Sequence, residues 1–177
     1  MKKTFFVLAL GGLFACNAGP AEETKTEAAA TTDAAATSSS LLPAAELKTI
    51  QDGIQAFCDG NQAAWMATYA DNAKIYYPGT GDSLVGKPGL EAFFKTRTDS
   101  VTSATFTNAT YLGVDKQDGS GYAANGKWLM AWGTFTIKYK NGKTAYMPIH
   151  LAHHMDSSGK TDLAAWYYDQ VDIMNAK

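Results

Sequence analysis

The chain is short of several features that would mark a function outright. Neither charge dominates: 15 Lys and Arg stand against 17 Asp and Glu, for a net charge of -2 and a pI of about 5.9. That balance argues against a nucleic-acid groove or a strongly basic membrane patch. Two cysteines cannot build a disulfide framework. No apolar run is long enough to cross a bilayer as a helix. Gly119-Ser120-Gly121 reads as a turn, because no helix follows to supply the N-terminus a phosphate would need. What is present is the balance of a globular protein, 46% apolar and 18% charged. A length of 177 residues makes one domain the expectation.

The N-terminus reads as an address. Met1, Lys2 and Lys3 are followed by an apolar run from Thr4 to Phe14, the length of a signal-peptide core. Leu13-Phe14-Ala15-Cys16 closes it: a bulky apolar residue, a spacer, a small residue, then cysteine. This order resembles the bacterial lipobox. The resemblance implies cleavage of residues 1–15 and lipid attachment at Cys16, so that acyl chains hold the protein on a membrane. The expected location is the bacterial cell envelope, facing the periplasm or the surface. Residues 16–43 are rich in Ala, Thr and Ser and contain no aromatic. Such a stretch cannot bury enough apolar area to offset its backbone entropy, and reads as a flexible tether.

Apart from Phe5, Phe6 and Phe14, every aromatic residue lies beyond Pro43, so residues 44–177 form the folded unit. Pro43 suits a helix start, with Ser40 as a nearby cap. Leu47, Ile50, Ile54, Phe57 and Cys58 then recur at helical spacing. Asp59-Gly60-Asn61 stops that helix, and Asn61 can cap a second one carrying Trp65, Met66 and Tyr69. Lys74 to Tyr77 reads as a strand, and Gly89 to Asp99 as a third helix. Strands follow at 102–114, 128–139, 144–155 and 163–171, with Asn141-Gly142 a strong hairpin signal. Helices first and antiparallel strands after is an α+β order, with about three helices packed on one side of a curved antiparallel sheet.

Several local motifs in this order resemble the NTF2-like superfamily, in particular its SnoaL-like and ketosteroid-isomerase-like members. They are Phe57-Cys58-Asp59-Gly60-Asn61, Tyr69-Ala70-Asp71-Asn72-Ala73, Gly86-Lys87-Pro88-Gly89-Leu90 and Met147-Pro148-Ile149-His150. The resemblance implies a cone: helices and a bent sheet around an apolar pocket, often dimeric through the outer sheet face. It implies no single reaction, since the fold hosts enzymes and binding modules alike. Ketosteroid isomerases need a carboxylate base and two acidic hydrogen-bond donors. By the resemblance, the first donor falls at Gly53, the base at Tyr77 and the second donor at His150. Those catalytic groups are absent, which leans against isomerase chemistry of that type.

Strand alternation gives a candidate pocket. Counting Asn141-Gly142 as a two-residue turn sets Tyr139 opposite Thr144, Ile137 opposite Tyr146, Gly133 opposite His150 and Leu129 opposite His154. By the resemblance, the face with His150 looks into the cone. The expected ligand pocket is then Tyr77, Phe135, Ile137, Tyr146, His150, His154, Trp166 and Tyr168. The opposite face would carry Trp128, Met130, Trp132, Met147, Ile149, Leu151 and Met155, an apolar surface fit for a homodimer. His150 and His154 share a face but lie about 13 Å apart along a strand, too far to chelate one ion. No metal site and no cofactor motif is expected. Cys58 reads as a small hydrophobe.

The expectation is therefore a membrane-anchored envelope lipoprotein whose NTF2-like domain binds a small, partly apolar ligand. One alternative is a SnoaL-like isomerase, cyclase or hydrolase with His150 as acid/base. Another is a structural or assembly module whose cone is filled by its own aromatics.

Overall fold

A computed structural model describes residues 39–78, 83–117 and 124–176. Residues 1–15, Cys16 and most of the expected tether lie outside the described residues. The chain first forms a short strand β1 (Ser40–Leu41), then a 3-10 turn at Ala44–Leu47 that runs into α1 (Lys48–Asp59). Next come α2 (Gln62–Ala67), β2 (Tyr69–Tyr76), β3 (Ser83–Val85) and α3 (Gly86–Ser100). Four strands follow: β4 (Val101–Lys116), β5 (Gly126–Tyr139), β6 (Thr144–Met155) and β7 (Thr161–Tyr168). A short helix, α4 (Val171–Ala176), ends the described chain.

All seven strands lie in one sheet, in the order β1-β4-β5-β6-β7-β2-β3. The fold is the expected α+β cone, with one addition to the expected antiparallel sheet. β2 runs parallel to β7, pairing Ile75 with Ala164. The sheet bends where β4 carries an extra residue between Thr107 and Thr110, with Asn108 at φ 53°. One unpaired residue in the left-handed region kinks the strand and raises its twist.

The expected helix signals hold with small shifts. Gly60 ends α1 at φ 71°, and the Asn61 N–H returns to the Ala56 carbonyl at 2.9 Å. The Asn61 side chain then accepts from the Ala64 N–H at 3.0 Å and caps α2. Tyr69 belongs to β2 rather than to the second helix: Ala67 is the last helical residue, and Thr161 donates its N–H to the Thr68 carbonyl. Ser40 does not cap a helix. It pairs with Asp115, and Leu41 with Val114, so chain expected to be tether joins the sheet edge. Gly113 makes room for this: a Cβ there would lie 2.9 Å from both Leu42 and Leu47. Helix α4 and strand β3 are additions that periodicity did not show.

An aromatic cluster joins helices to sheet. Phe57 of α1 meets Phe94 at 6.1 Å and Phe135 at 5.4 Å between ring centroids, both edge-on. Trp65 of α2 meets Tyr69 at 5.0 Å and Phe94 at 5.2 Å. Leu90 and Phe94 of α3 are fully buried.

The β5–β6 hairpin differs from the two-residue turn expected at Asn141-Gly142. Tyr139 N–H bonds the Lys143 carbonyl at 2.9 Å, and Gly142 N–H bonds the Tyr139 carbonyl at 3.0 Å. Three residues therefore form the loop, and Gly142 sits at φ 85°. This is a type I turn followed by a left-handed glycine, the common three-residue hairpin. Pairing moves by one residue: Ile137 faces Ala145, Phe135 faces Met147 and Trp132 faces His150. A one-residue change turns every side chain of β6 to the other face. Gly142→Ala, which forces a Cβ into the left-handed region, is expected to lower stability by about 1 kcal/mol in urea denaturation. A variant as stable as the parent would mean that this loop does not hold the register.

Candidate functional site

The helices and the concave sheet face enclose a cavity of about 610 Å³. Its lining is mostly apolar and aromatic: Ile54, Phe57 and Trp65 from α1 and α2, Phe93 from α3, Phe135 and Ile137 from β5, Met147, Ile149 and Leu151 from β6, and Trp166 from β7. Where it reaches solvent the lining includes the exposed Ala92 and Thr96 of α3 and Met174 of α4. No Asp or Glu lies among the described lining residues.

Five of the eight expected pocket residues line this cavity: Tyr77, Phe135, Ile137, Trp166 and Tyr168. The other three do not. Tyr146, His150 and His154 lie on the convex face, because the three-residue hairpin loop turns β6 over. Tyr146 is 60% exposed. His150 stacks between Trp132 at 4.6 Å and Tyr167 at 5.5 Å, and its buried Nε2 has no hydrogen-bond partner. Its pKa is lowered by burial. His154 has its Nδ1 2.6 Å from Asp162 Oδ1 and its Nε2 3.1 Å from the Asn125 carbonyl. Both ring nitrogens are thus engaged.

The same inversion brings Met147, Ile149, Leu151 and His153 inside, of which the first three were expected outside. Met155 too is buried rather than on the outer face. The signal for this was present. Ala145, Met147, Ile149, Leu151, His153 and Met155 alternate with Tyr146, Pro148, His150, Ala152 and His154, and the first set is the more apolar.

His153 is the histidine of the cavity. It is 6% exposed. Its Nε2 accepts from Trp166 Nε1–H at 3.2 Å, which assigns the proton to Nδ1. Nδ1–H donates to Thr161 Oγ1 at 3.2 Å, and that hydroxyl donates to Met155 Sδ at 3.8 Å. Every polar atom in this chain is spoken for, so His153 holds the cavity wall in place and has no free nitrogen for proton transfer. Burial pushes its pKa down to about 4.

Arg97 is the cationic side chain of the described lining. Its Nη2 donates to the Cys58 carbonyl at 2.8 Å, at the end of α1. The guanidinium packs over Phe57 at 5.0 Å and Phe94 at 5.4 Å. Close by, Cys58 is half-buried, and desolvation pushes its thiol up to about 11, which keeps it protonated and unreactive. Gly53, where a ketosteroid isomerase would carry a donor by the resemblance, lines the cavity with no side chain; a Cβ would lie 3.2 Å from Thr68 Oγ1. Among the described residues no three His, Cys, Asp or Glu side chains gather as metal ligands, and no helix is long and apolar enough to cross a membrane.

Sequence comparison finds no matching family model and no matching curated protein. Structural comparison does find relatives. One is an NTF2-like protein of unknown function from Burkholderia pseudomallei, with 14% identity and a TM-score of 0.57, covering 74% of this chain and 95% of that one. A candidate polyketide cyclase from Pseudomonas putida matches at 17% identity and a TM-score of 0.59, over 74% and 96% of the two chains. A candidate SnoaL-like polyketide cyclase from Shewanella denitrificans matches at 10% identity and a TM-score of 0.57, over 76% and 97%. The chain therefore has the NTF2-like fold.

His153 makes stability depend on pH with a definite sign. The unfolded ring takes up a proton near its ordinary pKa of 6.5, whereas the folded ring does so only near 4. Stability is full above pH 6.5 and falls as pH drops through that window, because the unfolded state binds the extra proton. Between pH 7 and pH 5 the loss is expected to be about 2 kcal/mol in urea denaturation, and His153→Gln should remove most of that slope. An equal slope in both proteins would contradict a buried neutral His153.

Proposed function

We propose that the domain binds a small, largely apolar molecule in its cone. The cavity carries the reading: about 610 Å³ walled by aromatics and aliphatics, a size and polarity usual for small-molecule sites. A cone filled by its own side chains would not leave such a space. The enzyme reading with His150 as acid/base is disfavoured by the position of His150 outside the cone. His153, which is inside, has both nitrogens occupied. One structural neighbour, a protein called TerC, was co-crystallised with polyporic acid, which supports a small-molecule reading of the fold.

Two further parts of the proposal concern where the domain acts. Lipid attachment at Cys16 would tether it to an envelope membrane, supported by the lipobox-like order Leu13-Phe14-Ala15-Cys16. A homodimer through the convex sheet face would cover Trp132 and Tyr167, which are 37% and 58% exposed, together with Tyr146.

Native mass spectrometry of gently purified protein tests the binding reading. The expected result is a small-molecule adduct, lost in Ile149→Trp, which fills the cavity while the thermal transition persists. No adduct, or an adduct unchanged in that variant, would refute it. Sedimentation tests the dimer: a dimer for the parent and a monomer for Trp132→Glu are expected, and a monomeric parent at all concentrations would remove the proposal.

A further inference from the structure

Resting on the ligand-binding reading, the charge of the cavity lining narrows what the cone holds. Of the 15 Lys and Arg residues in the chain, Arg97 is the one arginine. It does not sit on a solvated face. Leu90, then Phe93 and Phe94, then Arg97 recur at helical spacing along α3, and this stripe faces the cone. Leu90 and Phe94 are fully buried, and Phe93 and Arg97 line the cavity. A Cβ at Gly60 would lie 2.9 Å from Arg97 Nη1, so the missing side chain there leaves the guanidinium its place.

The group is under-matched where it sits. A guanidinium is a fork of N–H donors with no acceptor. Here Nη2 donates to the Cys58 carbonyl at 2.8 Å, and Nε is buried without a partner. No carboxylate among the described residues pairs with it. Asp59 acts on it only through space, and its carboxylate accepts from Gln55 Nε2 at 2.8 Å. The described lining contains no Asp, Glu or Lys, and His153 is neutral. Desolvation lowers the pKa of Arg97, but an arginine stays charged in a protein. The lining therefore carries one unbalanced positive charge.

A half-desolvated charge without a counter-ion is costly, and an unmatched buried N–H adds to the cost. An anion entering the cone offsets both, because hydrogen bonds from a guanidinium to a carboxylate are charge-assisted. The charge balance sets the head. One cation matches a monoanion, whereas a phosphate dianion would bring a second charge with nothing to meet it in the described lining. The walls set the body. The guanidinium lies over Phe57 and Phe94, and Ile54, Phe93 and Trp166 continue the apolar surface from there.

We infer that the cone takes an apolar monocarboxylate, its carboxylate held by the Arg97 guanidinium and its hydrophobic body buried against the aromatic walls.

Two fluorescent probes of nearly the same shape test this, titrated into the full chain: phenanthrene-2-carboxylate and the neutral 2-acetylphenanthrene. The carboxylate is expected to bind at least tenfold more tightly than the ketone, the gain of about one charge-assisted hydrogen bond. In Arg97→Met the ratio of the two affinities should fall to near one. A second measurement needs no variant. With a single arginine, the isotope-labelled parent gives a single arginine Nε–H resonance. That resonance is expected to shift on saturation with the carboxylate and to stay in place with the ketone. Equal or tighter binding of the ketone by the parent would overturn the inference and leave the ligand-binding reading standing. So would a carboxylate preference that survives in Arg97→Met, or an Nε–H resonance that bound carboxylate does not move. Failure of both probes to bind would count against the ligand-binding reading itself, and the inference would fall with it.

Discussion

The register of the β5–β6 hairpin is the constraint on which the rest of the site depends. Gly142 at φ 85° closes a three-residue loop and sets Phe135 beside Met147 and Trp132 beside His150. Because strand side chains alternate, that choice sends Ile149, Leu151 and His153 into the cone and Tyr146, His150 and His154 out of it. The two faces then acquire opposite characters. Inside, His153 closes a chain from Trp166 through Thr161 to Met155. Outside, His150 stacks between Trp132 and Tyr167 with one nitrogen unsatisfied.

The interior is built to hold space open. Helix packing through Phe57, Trp65 and Phe94 carries the burial of the cone at one wall, and the sheet carries it at the other. Several polar groups of the interior are tied up or neutral. His153 is bonded at both nitrogens, Cys58 is kept a thiol by desolvation, and Arg97 closes the end of α1. Arg97 Nε, buried in the lining, is left without a hydrogen-bond partner. The fold is shared with solved structures that include both candidate cyclases and proteins of unknown function, so the fold by itself selects no reaction.

Much of this was legible from residues alone. The 3.6-residue spacing of Ile50, Ile54 and Phe57 marked α1, and Gly60-Asn61 marked its end and the cap of α2. Long β-rich runs marked β4 to β7, and helices preceding strands marked the α+β layering. Phe135, Ile137, Trp166 and Tyr168 were placed on the cavity side because their own strands alternate as expected. These features are local, set by backbone sterics and by which side chains avoid water.

Which face of β6 turns inward is not local in that sense. Asn141-Gly142 suits a two-residue loop and a three-residue loop almost equally, and the difference is one residue of pairing. Burial of Met147, Ile149 and Leu151 against the helices decides it, through packing that exists only once α1, α3 and the sheet have met. The pairing of Ser40–Leu41 with β4 and the parallel contact of β2 with β7 arise the same way. The sequence by itself determined the main helices and strands and their order, because hydrophobic period and turn chemistry act over a few residues. Tertiary structure decided the register, which the alternation along β6 only suggests, and hence the cavity, because these depend on contacts between residues far apart in the chain.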